Sequence, residues 1–301
     1  MANAIEVGGE YDCKTAEQFL DRLSPRYSSW QPTPSVWIFR GQAGDWPLLP
    51  KAYRCNGAKF AAYNVPCFIA PGETTPRQSA YNTAFDSLMT KFRVGMDANG
   101  LVIPSAQPPM FEHGPACAPP GQKLASGALP LFALAQHFGL PTPLLDWSRR
   151  AHVAAYFSLP STRVPDGLLY VWALRQDVLP IRVDFQETGK DAESSFMTIE
   201  TAPRSSNPNL HAQAGLFTFI QGTAAHDFTI QRYVEQVAST LFTDDKAKKE
   251  YTFLVRLTLP SSEAPKLRRL LAEEGIDGAA MFPGYDGVVR AMKERTLWDT
   301  P

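Results

Sequence analysis

The sequence predicts an α+β domain built on a single mixed or antiparallel sheet with flanking helices. Three observations carry that expectation. Segments of strand character dominate the second half of the 301 residues, helices are interspersed among them, and no strand–helix–strand period recurs as a doubly wound sheet requires. Residues 1–301 read as one domain, with its core over about 36–290 and a long Pro/Gly-rich loop over about 99–123.

The elements follow in order. Thr15-Ala16-Glu17-Gln18 forms a capping box and predicts a helix through Phe19, Leu20 and Leu23. After a loop over 24–34, Trp37-Ile38-Phe39-Arg40-Gly41-Gln42 reads as a short strand ending in an arginine. Alternation puts Val36, Ile38 and Arg40 on one face and Trp37 and Phe39 on the other. A guanidinium among core aliphatics is costly to bury unless an anion meets it, and Gly41 would let a ligand approach the backbone. The competing reading is an arginine paired internally with a carboxylate. Prolines keep 45–50 extended, and 55–75 look irregular.

A second capping box, Thr75-Pro76-Arg77-Gln78, predicts a stronger helix with the stripe Ala80, Tyr81, Ala84, Phe85, Leu88, Met89 and Phe92. Leu131, Leu134, Ala135 and Phe138 predict another, closed by Gly139 and Pro141, with Gln136 and His137 in its last turn. Leu144-Leu145-Asp146-Trp147-Ser148 then leads into a helix through Val153, Ala154, Tyr156 and Phe157. Asp146 or Ser148 caps it in the plainest reading, and its N-terminus is also an anion site. Strands are predicted over 167–174, 216–220 and 251–259. An amphipathic helix spans 263–274 and stops at Gly275, and Asp286-Gly287 reads as a turn before a terminal helix.

Composition narrows the function classes. Hydrophobic residues make up 44%, charged residues 20%, and the formal net charge is -1, so no global field would recruit nucleic acid or an anionic membrane. The N-terminus has no basic and apolar leader pattern, and no stretch approaches a spanning length, which predicts a cytoplasmic protein with no membrane contact. Cys13, Cys55, Cys67 and Cys117 make no CxxC pair and no Cys/His ligand spacing, so reduced thiols and no metal are expected. His137, Asp146 and Ser148 invite a hydrolase triad, but no G-x-S-x-G elbow accompanies them. His113, His152 and His226 read as surface or packed histidines. His211 would share a strand face with Gln213, and Cys67 and Cys117 would approach the site through the long loop.

Taken together these segments resemble the FRG domain family. Phe39-Arg40-Gly41 gives the name. Gln136 to Ser148 matches the second signature, Gln-His-Gly-Leu-Pro-Thr followed by Leu-Leu-Asp-Trp-Ser. Phe138 stands where a second histidine is common and Pro143 where arginine is common. Ala212-Gln213-Ala214-Gly215-Leu216-Phe217-Thr218 matches a third, and Met281-Phe282-Pro283-Gly284-Tyr285-Asp286-Gly287 a fourth.

The order of elements is also similar to that of arginine-type ADP-ribosyltransferases. Arg40-Gly41 matches their first strand end, and Asp146-Trp147-Ser148 with Ala154-Ala155-Tyr156-Phe157 matches the strand that runs into a helix. Gln213 stands where those enzymes carry a catalytic glutamate. The resemblance implies an ADP-ribosyltransferase-like fold and an enzyme using NAD as substrate, of the toxin or antiviral-effector kind. In that reading Arg40, His137, Asp146 and Gln213 are the catalytic set, and Phe39, Arg40, Gly41, Gln42, Trp147 and Ser148 bind the nucleotide. Glutamine supplies no negative charge to an oxocarbenium-like transition state, so Asp146 or Glu200 would have to serve. The alternative is a non-catalytic module binding a nucleotide or a protein in the same cleft. Implied partners are the nucleotide, a protein or nucleic-acid acceptor, and an antitoxin or immunity protein.

Overall fold

One mixed sheet orders eight strands as Glu10–Asp12 (β1), Leu254–Pro260 (β10), Leu168–Arg175 (β6), Trp37–Gln42 (β2), Leu145–Ser148 (β5), Gly215–Gly222 (β9), Glu193–Glu200 (β8) and Val183–Phe185 (β7). The structure is a computed structural model that describes residues 9–27, 30, 36–104, 111–113, 122–124, 128–162, 166–179, 183–185, 193–202, 207–222, 229–244 and 252–298. The β1–β10 pair is parallel, and the other neighbours are antiparallel. Phe111–His113 (β3) and Gln122–Leu124 (β4) form a separate ribbon.

Helices cover both faces of the sheet. On one lie Gln78–Ala98 (α2), Ala128–His137 (α3) and Ile230–Leu241 (α6), whose apolar sides pack with Ile38, Trp147, Trp172, Leu174 and Phe219. On the other lie Ala16–Leu23 (α1), Ala151–Ser158 (α4) and Ala264–Glu273 (α7), packed with Phe39, Val171, Ala173 and Leu257. The alternation read along β2 is therefore real, with Ile38 in one core and Trp37 and Phe39 in the other. Val36 departs from it: it precedes the strand and packs on the side of Trp37.

Several expectations hold and several shift. Thr15 accepts from the Gln18 amide as predicted, but the Gln18 side chain accepts from Lys14 N rather than completing the box at Thr15. Helix α2 starts at Gln78 with Arg77 at the N-cap position, where a guanidinium, which has no acceptor, cannot cap; it donates to Glu73 Oε1 instead. Helix α3 stops at His137, Gly139 takes φ +82, and Phe138 falls outside the stripe with 66% of its surface exposed. Asp286 and Gly287 are not a turn but the first turn of Tyr285–Arg295 (α9). A Cβ on Gly287 would stand 1.8 Å from the Phe282 carbonyl oxygen. One on Gly278 would stand 2.7 Å from Arg290 Cγ. Those two glycines let α9 lie directly on the short helix Gly278–Met281 (α8). Much of the long loop over 99–123 lies outside the described residues, as do Cys117 and His226. Among the described residues no helix is long and apolar enough to cross a membrane.

Candidate functional site

The sheet parts between β2 and β5, and the site sits at that parting. The two strands share one register pair, Phe39 with Ser148, whereas β2 runs six residues alongside β6. Beyond Phe39 the β5 edge is left without its ladder, and the Arg40 side chain takes over. Its Nη1 donates to the Asp146 carbonyl oxygen at 2.7 Å and lies 3.6 Å from Asp146 Oδ2. Strict alternation would separate the two residues, since Asp146 shares its face with Ser148, itself paired to Phe39. The parted strands let them meet.

A cavity of about 360 Å³ opens there, within the size range of small-molecule sites. Arg40, His137, Asp146 and Gln213 all line it, and so do Phe39, Gly41, Trp147 and Ser148. The described structure thus brings together all four expected catalytic positions. Gln42 is the exception: it is buried away from the cavity and accepts the Trp172 indole N–H at 3.1 Å.

Each lining residue has its own constraint. The Arg40 side chain keeps only 16% of its surface exposed, and its Nε has no hydrogen-bond partner among the described residues. Burial lowers the pKa of its guanidinium, Asp146 raises it, and the Arg54 charge lowers it again. A second cation is therefore felt at the same spot, which favours a bound anion. Among the described residues Asp146 is the one carboxylate on the cavity wall, 57% exposed. His137 ends α3, with Nε2 3.0 Å from Asn209 Nδ2; that amide donates to the ring when the ring is neutral and protonated at Nδ1. Asn209 Oδ1 is buried without a partner among the described residues.

Gln213 caps Pro208–Ala212 (α5) and its Nε2 donates to the Met281 carbonyl at 3.0 Å. Ser148 Oγ donates to the Gln213 carbonyl at 2.8 Å and accepts the Arg150 amide at 2.9 Å. Ser148 thus braces the amide of Arg150 but does not cap α4, whose N-cap is Arg150 without a side-chain bond, and Asp146, in mid-strand, caps nothing either. Gly41 meets a different demand from the one its sequence position suggests. A Cβ there would stand 1.9 Å from the Ala154 carbonyl oxygen, so the glycine admits the backbone of α4.

Other expected residues fall elsewhere. Glu200 lies at the end of β8, off the cavity, and accepts the Thr198 hydroxyl at 2.9 Å. His211 is exposed on α5 rather than on a strand, so it shares no face with Gln213. His152 pairs with Glu274 at 2.6 Å. Cys67 packs against Gly57 and is absent from the cavity wall; burial pushes its thiol up to about 11. Sequence reasoning missed Asn209, Phe157 and Phe282 as lining residues. Phe282 had a signal, since it belongs to the fourth motif; Asn209 had none.

No curated protein and no solved structure matches this chain. The family model that does match describes an FRG domain, over residues 35–166. That segment supplies Arg40, His137, Asp146 and α4, while Gln213, Asn209 and Phe282 come from the chain beyond it. An FRG domain is therefore present in this chain, and its residues form one side of the cavity.

Proposed function

We propose that the cavity binds the diphosphate of a nucleotide and that the protein is an NAD-utilising enzyme of the ADP-ribosyltransferase-like kind. The observation that carries the reading is Arg40: a buried guanidinium with an unpartnered Nε, in a cavity shared with His137, Asp146 and Gln213. In the reaction, the bond between C1′ of the ribose and the nicotinamide nitrogen breaks and its electron pair leaves on nicotinamide. A water or acceptor heteroatom forms the new bond to C1′ and loses its proton. Asp146, the cavity's carboxylate, would face the positive charge developing on the ribose. Arg40 would hold the diphosphate through a planar fork. A toxin or antiviral role, with an antitoxin or immunity partner, belongs to the same proposal.

A second reading, a nucleotide-binding module without turnover, is favoured by specific bonds. Gln213 Nε2 is committed to the Met281 carbonyl and Ser148 Oγ to the Gln213 carbonyl, so neither is free for chemistry. The test is nicotinamide release from NAD together with calorimetric binding. On the enzyme reading Arg40→Ala abolishes both, Arg40→Lys restores neither, and Asp146→Asn keeps binding while losing turnover. Because Arg40→Ala also orphans the Asp146 carbonyl, its melting temperature is measured alongside. Binding without nicotinamide release by the wild type, over a broad set of acceptors, would leave the module. Gln213→Glu is a poor probe, since it would set a carboxylate against the Met281 carbonyl.

A further inference from the structure

Helix α9 buries Gly287, Ala291 and Glu294 and turns a second stripe outward. Tyr285, Val288, Val289 and Met292, spaced i, i+3, i+4 and i+7, are exposed by 93%, 51%, 49% and 62%. Four neighbouring apolar side chains on one helical face form a patch that isolated surface residues do not. The charges beside the stripe decide what fits it. Asp286 and Lys293 lie seven residues apart, hence on the same flank, one near each end.

We propose that this face pairs with the same face of a second copy of the chain, the two α9 helices antiparallel about a two-fold axis. A two-fold interface must be self-complementary. In antiparallel helices the same flanks meet, so Asp286 of each copy faces Lys293 of the other and two ion pairs form. Tyr285 then packs on Met292 of the second copy, and Val288 on Val289. A parallel arrangement offers neither match. The contact lies beside the cavity wall, because α9 rests through Gly287 on the turn that carries Phe282. Four side chains fall short of the roughly 800 Å² per partner of a stable dimer, so the association is weak.

The test is sedimentation equilibrium of the full chain up to about 200 µM, a range suited to an interface of this size. The wild type is expected to dimerise towards the top of the range. Val288→Asp and Met292→Asp should be monomeric with unchanged melting temperatures, since both side chains are exposed. Asp286→Lys or Lys293→Asp alone should weaken the dimer about tenfold, turning two attractions into repulsions, and the double exchange should restore it. A monomeric wild type would overturn the proposal, whether or not it binds anionic vesicles. So would a dimer indifferent to Val288→Asp, or a double exchange as weak as its single variants.

Discussion

Arg40 and Asp146 show how a charged pair differs from a charged contact. A carboxylate and a guanidinium buried together depend on each other, and removing one costs about 3–5 kcal/mol. Here the guanidinium is held by the Asp146 carbonyl at 2.7 Å, while the carboxylate stands at 3.6 Å and is 57% exposed. Asp146→Asn is therefore expected to lose less than about 1 kcal/mol, the range of exposed pairs. Urea denaturation checks this, and a loss of several kcal/mol would return Asp146 to a structural role. The sequence suggested that Arg40 was unusual because its neighbours on the strand face are core residues. It did not suggest that the acceptor would be a main-chain oxygen, because no residue pattern records where a ladder ends.

At the level of elements, local signals were legible where a single segment sets them. The Thr15 cap, the Gly139 and Gly275 stops and the stripe of α2 follow from neighbours in sequence. Strand β5 was harder. Leu145–Ser148 is four residues long, and Asp146 and Ser148 look like caps because the partner strands that make it a strand, β2 and β9, come from distant segments. Gly41 has a further requirement that stays hidden for the same reason. Its requirement comes from the backbone of α4, more than a hundred residues along the chain, and nothing near it in sequence shows that helix arriving. Gly41→Ala places a methyl 1.9 Å from the Ala154 carbonyl oxygen, where no rotamer can relieve the clash. The expected cost is about 3 kcal/mol or more, at the upper end for overpacking, read as a lowered urea midpoint. A near-neutral Gly41→Ala would mean that α4 moves freely against β2, and the cavity geometry described above would not hold.

Across the whole molecule, the two strands that the FRG segment gives to the main sheet depend on strands from beyond it. β2 and β5 meet at one register pair and are flanked by β6 and β9, which follow residue 166. Both cores are thus assembled from early and late segments. Large aromatic side chains stitch them. Tyr53 and Tyr233 are buried in one core, and Tyr156 in the other donates to Glu294 Oε1 at 2.6 Å. Burial raises all three phenol pKa values, that of Tyr233 to about 12, and at Tyr156 the Glu294 carboxylate adds to the effect. The sign of the pH dependence follows. The folded state keeps its phenol protons at a pH where the unfolded chain, titrating near 10, has lost them. Their contribution is complete below about pH 10 and declines as the pH rises towards the folded values, by up to about 1.4 kcal/mol per unit for each phenol. Stability should be flat in this respect from neutral pH to about 10 and then fall steeply, and the share of the phenolate absorbance at 295 nm that is missing from a Tyr53→Phe, Tyr156→Phe or Tyr233→Phe variant should appear together with loss of the far-ultraviolet circular dichroism signal. If the share belonging to these three rings appeared near pH 10 while the fold is intact, the rings would be in contact with water, against the burial on which both cores depend.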